Sequence, residues 1–146
     1  MACETLELTC NMYKDLLLHY TEMMGRAALL PLISKKSKVR IAGLKALNAV
    51  FWCGLYKYNA FVFENLIGFR DPNSVPIKDF YEPSHNINYL ATFITDEKSS
   101  VRLEFMKSIK MWVCDLNDKY DHHGKLVPYL LSGLFDHDQQ VQRTAL

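Results

Sequence analysis

The stretch DEKSSVRLEFMKSIKMWV, residues 96–113, joins a polar turn to a Val-Arg pair and then to a run in which Val101, Phe105, Ile109, Trp112 and Val113 recur at intervals of three and four. That spacing places the apolar residues on one face of an α-helix. The same phrase occurs earlier as SKKSKVRIAGLKALNAV, residues 34–50, and later as DHDQQVQRTAL, residues 136–146. Val101 and Val141 lie 40 residues apart, within the period of about 40–47 residues of two-helix solenoid units. Val39 and Val101 lie 62 apart, and the excess has an evident place: Pro72, Pro76 and Pro83 interrupt residues 68–86, GFRDPNSVPIKDFYEPSHN. A segment with that many prolines is not a continuous helix.

Helical periodicity extends over most of the rest. Leu6, Cys10, Tyr13, Leu16 and Leu17 form a first stripe, and Met24, Ala27, Ala28 and Leu32 a second, with Thr21 placed to cap it and Pro31 to bend it. The expected fold is therefore all-α: a solenoid of about three helical pairs with one long loop insertion. Its divisions read as an N-terminal helix at 1–20, a repeat at 21–53, an insertion at 54–86, a repeat at 87–117 and a shortened repeat at 122–146.

Composition narrows the function classes. Seventeen Lys and Arg face sixteen Asp and Glu, so no strong net field draws the chain to nucleic acid or to a membrane surface. No long uncharged apolar run predicts a membrane-spanning helix. Glu4 and Glu7 stand where a secretory leader would be basic and then apolar, which predicts a cytoplasmic or nuclear chain. Cys3, Cys10, Cys53 and Cys114 are scattered without zinc-site spacing and read as idle or buried thiols.

The repeated phrase carries a charge pattern. Arg40 and Arg102 sit in the first turn of their helices, where a cation opposes the helix dipole unless a carboxylate is close. Asp96 precedes Arg102 by six residues, and Asp136 holds the same place before Gln142, whereas the first unit has Ser34 there. Such an Asp can accept backbone N–H groups at a helix start and also face an Arg, which predicts a ladder along the inter-helix turns through Asp96, Arg102 and Asp136.

The Val-Arg pair, the Asp six residues before it and Pro128 resemble HEAT repeats, the armadillo-like superhelix class. Residues 111–136, MWVCDLNDKYDHHGKLVPYLLSGLFD, are similar to a more particular pattern, that of the HEAT-repeat dynein axonemal assembly factors. The positions carrying it are Trp112, Val113, Leu116, Asp118, Lys119, Tyr120, Lys125, Leu126, Val127, Pro128, Leu130, Leu131, Ser132, Leu134 and Asp136. Residues 29–50 resemble the preceding repeat of that family. The resemblance implies a non-enzymatic cytoplasmic scaffold needed to preassemble the dynein arms of motile cilia and flagella. The partners it implies are axonemal dynein chains, other assembly factors and chaperones, with neither nucleic acid nor membrane. A general HEAT adaptor, such as a transport receptor or phosphatase-type scaffold, is the alternative. A chain this short, ending inside a repeat, reads as a fragment or short isoform.

No catalytic constellation stands out: there is no Gly-rich phosphate loop and no nucleophile with a base, so neither an enzyme nor a cofactor is expected. Adjacent His122 and His123 do not converge easily on one metal ion and read as an inter-helix turn. Two candidate partner-binding features remain. One is the basic turn of Lys35, Lys36 and Lys38, suited to an acidic protein surface; the other is Phe80 and Tyr81, aromatic residues between prolines.

Overall fold

The computed structural model describes residues 1–68 and 87–146. Among them lie eight α-helices and no strand, in the order α1 (Ala2–Tyr13), α2 (Thr21–Leu29), α3 (Ser37–Cys53), α4 (Tyr56–Ile67), α5 (Tyr89–Ile94), α6 (Ser99–Cys114), α7 (Lys119–Ser132) and α8 (Gln139–Ala145). They form an all-α repeat solenoid with two rows. One row runs α1, α3, α6, α8, each helix packed on the next; the other runs α2, α4, α5, α7. Short 3₁₀ turns extend α2 through Leu30–Ile33 and α7 through Gly133–Phe135.

Local sequence explains the element ends. Pro31 lacks the N–H that would continue α2, and the chain tightens into the 3₁₀ turn there. Gly68 closes α4 in the left-handed conformation at φ 69°, a backbone state that a side chain disfavours. Thr21 is the first residue of α2 rather than its cap: its hydroxyl donates backward to the Leu18 carbonyl at 2.9 Å. Thr21 is fully buried, and its hydroxyl shares the Leu18 carbonyl with its own backbone N–H.

Two expected boundaries move. Residues 54–86 do not form one insertion, because α4 occupies 56–67 and places Val62, Phe63 and Leu66 in the core. These residues have the i, i+1, i+4 spacing of a buried helical face, which the sequence shows as a short apolar segment before the proline-rich 68–86 but which forms a full core helix. α4 and α5 stand together in the row of first helices, on either side of residues 69–86. The third unit begins at Lys119 rather than 122, so His122 and His123 lie in the first turns of a helix and not in an inter-helix turn.

The main core joins the two rows. Phe51 of α3 stacks on Phe63 of α4 with ring centroids 4.1 Å apart, and Trp112 of α6 meets both edge-on at 5.1 and 5.7 Å. Edge-on and stacked aromatic pairs add to the burial of their large apolar area. Close backbone approach also matters between units, since any side chain added at Gly25 of α2 would run into Val62 of α4.

Trp112 is completely buried, and its Nε1–H donates to Asn48 Oδ1 at 2.9 Å. Asn48 in turn donates to Ser108 Oγ at 3.0 Å, and Ser108 to the Glu104 carbonyl at 2.9 Å. Trp112→Ala should therefore cost about 3–5 kcal/mol by urea denaturation. Trp112→Phe keeps most of the ring packing and should cost less, and Asn48→Ala should cost less in that background than in the wild type, because only its bond to Ser108 remains to be lost.

Candidate functional site

Three inter-helix turns repeat one construction. At each, the residue six before the second helix's Val-Arg position accepts a side-chain hydrogen bond on its backbone carbonyl: Arg40 Nη1 to Ser34 O at 2.7 Å, Arg102 Nη1 to Asp96 O at 2.7 Å and Gln142 Nε2 to Asp136 O at 2.6 Å. The side-chain oxygen of that same residue accepts the backbone N–H two residues on, from Lys36 to Ser34 at 3.3 Å, Lys98 to Asp96 at 2.9 Å and Asp138 to Asp136 at 2.8 Å.

The guanidinium then crosses to the next unit. Arg40 Nε and Nη2 donate to the two oxygens of Asp96 at 2.7 and 2.8 Å, and Arg102 does the same to Asp136 at 2.7 and 3.0 Å. These are bidentate, charge-assisted pairs whose planar geometry fixes orientation as well as distance. Both are largely shielded from water, the Arg102 and Asp136 side chains being 15% and 9% exposed. Hydrogen bonds from Arg102 hold the Asp136 carboxyl below its ordinary range against the opposing effect of burial, and the same bond raises Arg102. Val101 and Val141 are buried, whereas Val39 is half-buried and outside the central cluster.

A second polar junction, which sequence reasoning missed, lies deeper. Asn59 of α4 donates to both the Phe51 carbonyl at 3.2 Å and Asp118 Oδ2 at 3.1 Å, and His122 Nε2 stands 3.0 Å from the same carboxylate oxygen. Burial alone would raise the Asp118 pKa, but hydrogen bonds with His122 and Asn59 outweigh it and leave the group lowered. The His122 ring also packs on Phe63 at 4.3 Å. His123 turns the other way and donates to the Val113 carbonyl at 2.8 Å, so the two histidines do not share a ligand position. The available signal was an Asn within an apolar face, as at Asn48 and Asn59.

The motif residues therefore divide by task. Trp112, Asp118 and Asp136 bind other units, and Lys119 Nζ donates to the Cys114 carbonyl at 2.6 Å at the end of α6. Lys125 approaches Glu64 of α4 at 3.8 Å, an exposed contact worth little by itself. Tyr120, Leu131 and Phe135 are instead exposed along α7 and its 3₁₀ extension. Lys35, Lys36 and Lys38 are all exposed on the first turn. Beside them a cleft of about 320 Å³ is lined by Lys35, Ser37, Arg40, Thr95, Asp96, Glu97 and Lys98. Phe80 and Tyr81 lie outside the described residues.

Residues 83–146 match the family model described as dynein axonemal assembly factor 5-like, TPR repeats. The match covers the second half of the described helices and marks that segment as similar to the repeats of that family. It spans α5 to α8 and contains the Arg102–Asp136 pair, Trp112 and Asp118. No curated protein and no solved structure matches the chain. Among the described residues, no helix is long and apolar enough to cross a membrane.

Asp136→Asn should destabilise the chain at neutral pH by about 3 kcal/mol, since it leaves Arg102 without its charge partner. Because the folded Asp136 carboxyl is lowered, its contribution is complete above its unfolded pKa of about 3.9 and is lost as pH falls through the folded value. Denaturation across pH should therefore show the gap between wild type and Asp136→Asn narrowing below about pH 4. A constant gap would remove the charge from the explanation.

Proposed function

We propose that this chain is a non-enzymatic scaffold in the cytoplasmic preassembly of axonemal dynein arms for motile cilia or flagella. The observation that carries the reading is the family match over residues 83–146. The fold supports it in a general way: a two-row helical array presents extended surfaces to protein partners. On this reading the partners are axonemal dynein chains together with other assembly factors or chaperones.

Two described surfaces suit such contacts. The exposed Lys35, Lys36 and Lys38 offer a compact positive turn to an acidic protein segment, with electrostatics serving encounter and selectivity more than raw affinity. The exposed Tyr120, Leu131 and Phe135 offer aromatic and aliphatic anchors of the kind that dominate protein interfaces. Phe80 and Tyr81 are retained as a third candidate. The inter-turn ladder is assigned a structural role, because its charges are already paired within the array.

Affinity capture of the tagged chain from ciliated cells tests the reading. Dynein arm chains and chaperones should be enriched; recovery of nuclear cargo or phosphatase subunits instead would transfer the chain to the class of general HEAT adaptors. Changing Lys35, Lys36 and Lys38 together to Glu should reduce capture of the dynein arm chains several-fold and leave the melting temperature within a few degrees. Unchanged capture would exclude the basic turn as a contact.

A further inference from the structure

Beside the main core lies a second, smaller cluster of Cys10, Ala49, Val50 and Cys53, onto which Leu6, Leu17 and Met24 pack. It gathers three sulfur-bearing side chains from three helices: Cys10 from α1, Met24 from α2 and Cys53 from α3. Cys10 Sγ and Met24 Sδ are 3.9 Å apart. Cys53 Sγ donates to the Ala49 carbonyl at 3.4 Å and lies 3.6 Å from the Cys10 carbonyl oxygen, so its thiol stands beside the Cys10 backbone. Both cysteines are almost wholly buried, at 1% and 5% exposure, whereas Met24 is only half-buried and leaves a way in.

The donor set is soft and contains no carboxylate or imidazole. Among the described residues no cluster of three His, Cys, Asp or Glu could hold a metal, so a hard or borderline ion finds no site here. Zinc takes four ligands drawn from thiolate, imidazole and carboxylate in structural sites, and this cluster supplies three sulfurs, one of them a thioether. Two thiolates and a thioether instead select Cu(I). The spacing agrees: at a metal–sulfur distance of about 2.3 Å, as for zinc thiolates, three sulfurs arranged in a plane around an ion stand about 4.0 Å apart. The Cys10–Met24 side of that triangle is already at this value, and a rotation of the Cys53 side chain away from its backbone carbonyl partners completes it.

We infer that the Cys10–Met24–Cys53 sulfur cluster is a binding site for one Cu(I) ion. Binding forms two Cu–thiolate bonds and one dative thioether bond and releases the two thiol protons to solvent. The ion enters as Cu(I), so no electron is transferred. The resulting site carries one net negative charge. The Lys14 ammonium, whose field reaches Cys53 and which lies 5.6 Å from the Trp52 ring centroid, offsets that charge, while Asp15 opposes it. An occupied site ties α1 and α2 to α3.

The test uses the full chain, reduced and oxygen-free, with Cys3 and Cys114 changed to Ser so that the more accessible thiols do not contribute. Cu(I) is titrated in competition with bathocuproine disulfonate. One ion per chain should be taken from the chelator, the melting temperature should rise on loading, and X-ray absorption should report three sulfur ligands. Cys10→Ala and Cys53→Ala should each weaken binding by more than about 100-fold, beyond the effect of losing a supporting outer group. Met24→Leu conserves volume and so preserves the fold; it should weaken binding by about tenfold and reduce the sulfur count to two. Failure to compete with the chelator, retention of copper by the Cys10→Ala, Cys53→Ala double variant, or an unchanged site in Met24→Leu would each overturn the inference.

Discussion

Each arginine of the ladder is held at two points: by a carbonyl of its own turn and by a carboxylate of the next. That double tie makes the distance and angle between successive units a property of one planar guanidinium rather than of loosely fitted apolar surfaces. Apolar burial supplies the driving force, because a single helical pair cannot bury its own hydrophobic face. Burial is non-directional, however, and would accept several registers. The Arg40–Asp96 and Arg102–Asp136 pairs select one, at some cost in desolvation that is offset by bidentate geometry and by the further backbone bonds each aspartate accepts.

The neutral residues of the first and third described turns fit the same scheme. Ser34 and Gln142 perform the same backbone tasks as Asp96 and Arg102 without carrying charge. Among the described residues, each charged member of the ladder therefore has its opposite, and no arginine is left facing a buried neutral group. Beneath this surface device, the Asn59–Asp118–His122 junction and the Asn48–Trp112–Ser108 chain tie the same units together within the core. Much of the motif that resembles the dynein assembly factor repeats is thus devoted to holding repeats in order, and it leaves Tyr120, Leu131 and Phe135 exposed.

The sequence made the repeat visible because its period and its helical spacing are local properties. The Val-Arg phrase, with an aspartate six residues before it, is a pattern in one dimension that each unit satisfies through its own turn. The same locality fell short at residues 56–67: the apolar segment before the prolines was visible, but not that it is a core helix rather than part of an insertion, because its burial depends on α2 and α3. Asn59 and Asn48 escaped notice for a different reason. Their partners, Asp118 and Trp112, lie far away in the chain, and nothing near an asparagine in sequence announces which distant group will satisfy it.

What the sequence determined by itself was the all-helical class, the repeat unit and the residues able to form rungs, since periodicity and turn chemistry act over a few residues at a time. Only the tertiary structure decided which rung meets which, that α4 and α5 stand in one row and that sulfur-bearing side chains from three helices share one small cluster. Those outcomes depend on the packing of elements that have no neighbour relation in the chain, where shape and the requirement to satisfy every buried polar group choose among pairings that the sequence alone leaves equal.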